Sequence, residues 1–353
     1  MNSVERVLTV LRGGIPDQVP VDLHNFLMAA QWSGLPFPKF LKNGEAMAEG
    51  QIRLWREFGH DVLLLENGTT ALAEACGCKV EYPAEGAPVL IEPVLSNLDD
   101  INKLKIPDFT RAHPTCENLE ATGIVAREIG REAFIIGRAD QGPFSLASML
   151  LGLEKFLLAL SDPDQHSKLH ALLRFSLETV FRYAVSQIEQ GAHMTSIGES
   201  LSGPDVVSPR MYKEFEWGYA RSLVEKLNEK NISLAYHICG NATRIVSDMV
   251  ATGAAVLELD YKCDLAKIKE ATRGKSTILG VIDPSGVLAY GTPELVSMKV
   301  QEELEILGPG GGLILGPGCA LSPKTPFENI HALIEAGHRY GRYSLDGRLI
   351  LTN

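Results

Sequence analysis

The chain is predicted to fold as a (β/α)8 TIM barrel, an α/β fold in which eight parallel strands each lead into helix. Three observations point there. Short apolar, β-branched runs alternate with longer stretches of helical period along the chain. Eight such runs can be counted, which favours a closed parallel sheet over an open doubly wound one. Residues suited to chemistry sit at the ends of several runs, where the C-terminal rim of a parallel barrel builds its active site.

The strands are expected at residues 19–23, 61–66, 133–137, 192–198, 232–239, 256–260, 277–282 and 313–316. Helices are expected at 46–58, 163–190, 208–230, 292–307 and 322–340. Their starts carry the usual signals: Asp162 before Pro163, Ser208-Pro209, Thr292-Pro293-Glu294 and Ser322-Pro323. Gly308 closes the fourth. The stretch from about 67 to 132 is long for one connection. It contains a turn-rich excursion, Tyr82-Pro83-Ala84-Glu85-Gly86-Ala87-Pro88, read as a small hairpin region. It is expected to be an N-terminal insertion on a single barrel domain spanning 1–353.

Composition narrows the function. With 45% hydrophobic residues the chain can bury a large core. Its 33 Lys and Arg against 44 Asp and Glu disfavour nucleic-acid binding, which needs a basic surface. The first 14 residues carry Glu5, Arg6 and Arg12 and lack the apolar core of a signal peptide. No run of about 18 apolar residues suggests a membrane span. A soluble cytoplasmic enzyme is expected. In that compartment the six cysteines favour metal or core roles over disulfides.

The sharpest local pattern is Tyr236-His237-Ile238-Cys239-Gly240. Alternate residues of a strand share a side, so His237 and Cys239 aim together and Ile238 aims at the helices. The run Gly316-Pro317-Gly318-Cys319-Ala320 follows the last strand, with glycines that let the backbone turn sharply. His237, Cys239 and Cys319 thus read either as three zinc ligands meeting at the barrel mouth or as a core histidine with two small apolar cysteines. Cys76 and Cys78 are too closely spaced for a chelating loop. Cys116 and Cys263 have no third ligand nearby. All four read as structural.

Three further stretches carry a family resemblance: Gly142-Pro143-Phe144-Ser145-Leu146, Val207-Ser208-Pro209-Arg210-Met211-Tyr212, and Gly280-Val281-Ile282-Asp283-Pro284. They resemble the uroporphyrinogen decarboxylase superfamily over nearly the whole chain. His237-Ile238-Cys239-Gly240-Asn241 with Gly318-Cys319 looks like its corrinoid:coenzyme M methyltransferase branch. That resemblance implies a uroporphyrinogen decarboxylase-like barrel with a His-x-Cys and Cys zinc site. It also implies methyl transfer from a methyl-corrinoid to a zinc-activated thiol such as coenzyme M. The founding decarboxylase carries an Arg-rich motif near its N-terminus, whereas the matching stretch Val19–Phe26 here has no Arg. Metal-free decarboxylation is therefore disfavoured, since a substrate with many carboxylates needs cationic partners.

Asp22-Leu23-His24 resembles the start of the Asp-x-His-x-x-Gly signature of corrinoid-binding domains, but Leu27 stands where the Gly belongs. The corrinoid is expected on a separate carrier protein, and the small thiol at the barrel mouth. Glu199, at the end of strand four, reads as a fourth zinc ligand or as a hydrogen-bond partner of one. Asp260 and Asp283 end strands six and seven and are candidates to orient His237 or the acceptor. Asp140 ends strand three, with Arg138 expected to pair with it. His24, Asn25, Asp140 and Asn241 are expected to bind substrate; Asn25, Asn67 and Asn241 would also suit a pterin acceptor such as tetrahydrofolate, and transfer from a methylated donor onto the corrinoid is a further alternative on the same fold. A non-catalytic barrel with a structural zinc is the reading from another class.

Overall fold

The computed structural model describes residues 1–84 and 86–350. Glu85, within the expected hairpin turn, and 351–353 lie outside the described residues. In chain order the strands are β1 (Asp22–Leu23), β2 (Val62–Leu65), β3 (Lys79–Glu81), β4 (Val89–Glu92), β5 (Phe134–Gln141), β6 (Met194–Gly198), β7 (Leu234–Ile238), β8 (Val256–Leu259), β9 (Thr277–Ile282) and β10 (Leu313–Pro317). Eight of them form one parallel sheet in the order β1-β2-β5-β6-β7-β8-β9-β10. A parallel bridge between Val21 and Leu315 closes it, with Leu315 N–H donating to the Pro20 carbonyl at 2.9 Å. This is a (β/α)8 barrel. The remaining strands, β3 and β4, pair antiparallel as a separate hairpin.

The period-2 alternation of the strands divides the core in two. Val62, Leu64, Phe134, Ile136, Met194, Ala235, Val256, Leu279 and Ile314 form an inner cluster inside the barrel. Val7 of the helix Ser3–Leu11 joins it, so this helix stoppers the end of the barrel away from the strand C-termini. Leu63, Leu65, Ile135, Ile197 and Ile238, of opposite parity, pack against the helices. Further along the same inward parity the apolar residues give way to Glu66, Arg138, Ser196, His237 and Glu258, all buried.

Local departures from the expected elements have local causes. The first strand starts late because Pro20 has no N–H and the Val21 N–H goes to the Asp61 side chain at 2.9 Å. The last helix is Phe327–Tyr340 and not 322–340, because Pro326 would break an earlier start. The helix expected at 208–230 is interrupted by a π turn, Lys213–Trp217, that buries Glu216. The one expected at 163–190 opens as a 3-10 turn, Pro163–Gln165, capped by Asp162, before the helix His166–Glu189. β5 runs four residues past its expected end, and its register with β6 shifts between Arg138 and Gln141. Asp140, in that irregularity, has φ 63°.

Candidate metal centre and active site

β7 carries His237 between Gly198 of β6 and Glu258 of β8. The His237 Nδ1 lies 3.0 Å from the Glu258 main-chain carbonyl. An N–H donated there fixes the tautomer and leaves the Nε2 lone pair facing outward from the strand end. Nε2 is 3.0 Å from Cys239 Sγ. Cys319 arrives from the turn after β10, and the His237 nitrogen and the two sulfurs all lie within 4.8 Å of one another.

That turn depends on glycine. A Cβ at Gly318 would sit 2.8 Å from Tyr261 N and 3.0 Å from the Leu259 carbonyl, both main-chain atoms. Tetrahedral zinc with bonds of about 2.3 Å to sulfur holds two sulfurs about 3.8 Å apart. One imidazole nitrogen of fixed tautomer and two thiols at this spacing therefore fit a zinc ion with three protein ligands. The hydrogen bond from Cys319 holds the Cys239 thiol below its ordinary pKa. The same bond, then burial, pushes Cys319 up to about 12.

Beside His237, Cys239 and Cys319 lies a cavity of about 60 Å³, lined also by His24, Arg138, Asp140, Gln141 and Ser200. About 10–15 Å³ of such space admits one water, so a few waters or a few heavy atoms fit. Its floor is a buried charge network. Arg138 donates through Nε to Glu66 at 3.3 Å and through Nη1 to Glu258 at 3.1 Å. His24 places Nδ1 3.1 Å from Glu258 and Nε2 3.2 Å from Glu66. Burial alone would raise the Glu258 carboxyl; the Arg138 charge, then His237 and His24, outweigh it and hold the carboxyl well below its usual range. Burial would likewise depress His24, but the Glu66 and Glu258 carboxylates push it well above 6.5. Two cations thus balance two carboxylates. Asp22, fully buried, is pushed up to about 7 by burial, and among the described residues its oxygens have no hydrogen-bond partner.

The structure brings together His237, Cys239, Cys319, His24 and Asp140, and leaves the other candidates elsewhere. Glu199 follows Gly198, which aligns with His237, so it has the opposite parity and faces the helices. Its carboxylate accepts from Phe144 N at 2.9 Å, Ser145 N at 2.8 Å and Ser145 Oγ at 2.7 Å, capping the helix Pro143–Leu151. It is thus no near-metal ligand here; Ser200, one residue on, lines the cavity instead.

Asp260 does not reach the His237 ring. It accepts from Gly240 N at 2.9 Å and Lys262 N at 3.0 Å, pinning the turn just after Cys239. Asp283 caps its own turn through Ser285 N and Gly286 N, both at 2.9 Å. Asn241 is exposed and caps Thr243 N. Asn25 is fully buried with no side-chain hydrogen bond among the described residues, and it does not line the cavity. The expected Arg138–Asp140 pair does not form: Arg138 is taken by Glu66 and Glu258, and Asp140 Oδ2 accepts from Leu72 N at 2.7 Å. Glu66 and Glu258 escaped the sequence reading. Their signal was a lone acid in an otherwise apolar strand, at inward parity. The remaining cysteines, Cys76, Cys78, Cys116 and Cys263, are free thiols outside the cluster.

Comparison with known proteins agrees with this architecture. The family model described as uroporphyrinogen decarboxylase (URO-D) matches residues 2–340. The methylcobamide:CoM methyltransferase MtaA of Methanosarcina barkeri is 29% identical over 343 residues, covering 95% of this chain and 97% of that protein. A uroporphyrinogen decarboxylase of Pseudoalteromonas atlantica is 27% identical over 314 residues, covering 86% of this chain and 85% of that one. Among solved structures, a methyltransferase from Methanosarcina mazei superposes with a TM-score of 0.87 at 26% identity, covering 96% of this chain and 98% of that one. The chain belongs to the uroporphyrinogen decarboxylase (URO-D) family and is similar, end to end, to its methylcobamide:CoM methyltransferases.

Proposed function

We propose that this chain, one barrel domain over 1–353, is a zinc-dependent methyltransferase. It would move a methyl group from a methyl-corrinoid, held on a separate carrier protein, to a small thiol; coenzyme M is the acceptor in its relatives' names. The observation that carries this reading is the cluster of His237, Cys239 and Cys319 at the strand C-termini. Bound there, zinc would supply a Lewis acid that ionises an acceptor thiol near neutral pH.

The chain's own groups do the rest. His237 is held in one tautomer by the Glu258 carbonyl. Cys239 and Cys319 as thiolates would cancel the ion's charge, leaving the acceptor sulfur electron-rich. Asp260 pins the Gly240 turn so that Cys239 keeps its place. The stoppered barrel beneath the site keeps water from its far side. The acceptor sulfur would then attack the methyl carbon of the substrate in line. The cobalt–carbon electron pair stays on the corrinoid, and the thiol proton leaves to solvent.

The decarboxylase relatives suggest a different substrate, but the cavity argues against it. Arg138, the arginine lining it among the described residues, is already shared between two carboxylates. A porphyrinogen with many carboxylates would find no free guanidinium there. Among the described residues no single helix is long and apolar enough to cross a membrane. We place the enzyme in the cytoplasm, where six free cysteines suit a reducing compartment.

The test is turnover of methylcobalamin with a panel of thiols and with tetrahydrofolate, alongside zinc analysis. About one zinc per chain and thiol methylation are expected, with both lost in His237→Ala and Cys239→Ala while circular dichroism is unchanged. Methylation of tetrahydrofolate alone, or full activity in either variant, would overturn the reading.

A further inference from the structure

The polar groups left open beside the metal ligands suggest which tail the acceptor carries. Asp140 is 2% exposed and Gln141 3% exposed, and both line the 60 Å³ cavity with His237, Cys239 and Cys319. Among the described residues, Asp140 Oδ1 and Gln141 Oε1 have no hydrogen-bond partner. Buried polar atoms usually have a partner, whether protein, ordered water or ligand. The Gln141 amide can turn to offer a donor or an acceptor, so it suits many tails. Asp140 cannot accept a negative one once ionised.

The surrounding charge points the same way. Arg138 and His24 are matched by Glu66 and Glu258. An ionised Asp140 therefore leaves the cavity with one uncompensated negative charge. Burial pushes the Asp140 carboxyl up to about 7. A cation beside Oδ1 would offset that cost and favour the carboxylate. His237, Cys239, Cys319 and Asp140 line this one cavity, so the tail of a short thiol whose sulfur sits at the cluster shares its space with Asp140.

Resting on the methyl-transfer reading above, we infer that the acceptor, unlike the sulfonate thiol coenzyme M of its relatives' names, is a short aminothiol. Its ammonium would be received by Asp140, with Gln141 beside it, in preference to a thiol with an anionic tail. Asp140 then sets specificity for the tail and takes no part in the bond-making step. Asp140 has a positive φ and lies in the register shift between β5 and β6. One oxygen holds Leu72 N and the other is left for the ligand.

Three two-carbon thiols that differ only at the tail separate the possibilities: 2-aminoethanethiol, 2-mercaptoethanol and 2-mercaptoethanesulfonate. Each is assayed as acceptor from methylcobalamin. The S-methyl form of each is titrated by calorimetry into the zinc-free protein, which reads the tail contact without the reaction. The ammonium tail should win by about tenfold or more in kcat/KM and in thioether affinity, the scale of one charge-assisted hydrogen bond. Asp140→Asn, whose amide oxygen can still accept from Leu72 N, should erase the preference mainly through KM. A sulfonate thiol used as well as or better than the ammonium thiol overturns the inference and leaves methyl transfer standing. So does an ammonium preference that survives in Asp140→Asn. Methylation of none of the three overturns the methyl-transfer reading and this inference with it. Should Asp140→Asn fail to fold, the calorimetric ranking on the unaltered chain decides alone.

Discussion

Replacing Glu258 by Gln tests the charge network that floors the site. The change keeps the shape of the side chain and removes its charge. Glu258 is fully buried and faces Arg138 at 3.1 Å and His24 at 3.1 Å. Without it, two cations share the single carboxylate of Glu66. Breaking one side of a buried pair costs about 3–5 kcal/mol; the Gln can still accept a hydrogen bond, so the lower end, about 3 kcal/mol, is expected. Unfolding entropy of about 2.1 cal/mol/K per residue over 353 residues gives about 0.74 kcal/mol/K, so the melting temperature should fall by about 4 °C. Glu302→Gln removes a carboxylate 2.6 Å from Lys299 at the exposed surface, and should shift it by less than about 1 °C.

The pH dependence follows from the sign of the shift. Folded Glu258 titrates below its ordinary 4.5, so its stabilisation is present above pH 4.5 and is lost as pH falls through the folded value. The gap between wild type and Glu258→Gln should therefore hold from pH 7 down to about 5 and close only in stronger acid. Differential scanning calorimetry at several pH values reads both effects. A shift no larger than that of Glu302→Gln, or a gap that closes already by pH 6, would refute the reasoning.

Two other substitutions probe the site's scaffold. Glu199→Gln weakens the cap on the helix Pro143–Leu151 and should cost about 1–2 kcal/mol of stability; zinc content should stay unchanged, and zinc loss measured by atomic emission would restore Glu199 to the metal. Gly318→Ala drives a methyl against the Tyr261 and Leu259 main chain, so the turn must shift and carry Cys319 with it; zinc affinity should drop by tenfold or more, on the order of losing a ligand's support, and wild-type affinity by competition with a chelator would show the turn to be slack.

Much of the barrel could be read from the chain because its strands announce themselves locally. Each is a short apolar run between helical stretches, and all eight lie where expected. The cluster of His237, Cys239 and Cys319 was readable for a similar reason: His237 lies on a strand with Cys239 two residues on, just past its end, and Gly-Pro-Gly before Cys319 marks a tight approach. What sequence did not disclose depends on register between strands, which is non-local. Glu199 looks like a strand-end carboxylate next to the His237 strand. Only the pairing of Gly198 with His237 shows that it faces the other way. Arg138 and Asp140 look like natural partners two residues apart, until the irregularity of β5 turns Asp140 toward Leu72 and places Arg138 between carboxylates from β8 and from the end of β2. A helix start failed at a second proline, Pro326, and an expected continuous helix is broken by the π turn that buries Glu216.

X-ray absorption at the zinc edge, on the purified chain before and after adding an acceptor thiol, tests the central claim most directly. The account predicts two sulfur neighbours at about 2.3 Å and one imidazole nitrogen at about 2.0 Å in the free enzyme, with the sulfur count rising from two to three once the thiol is added. A chain that binds no zinc, or a zinc shell that the thiol leaves unaltered, would contradict it.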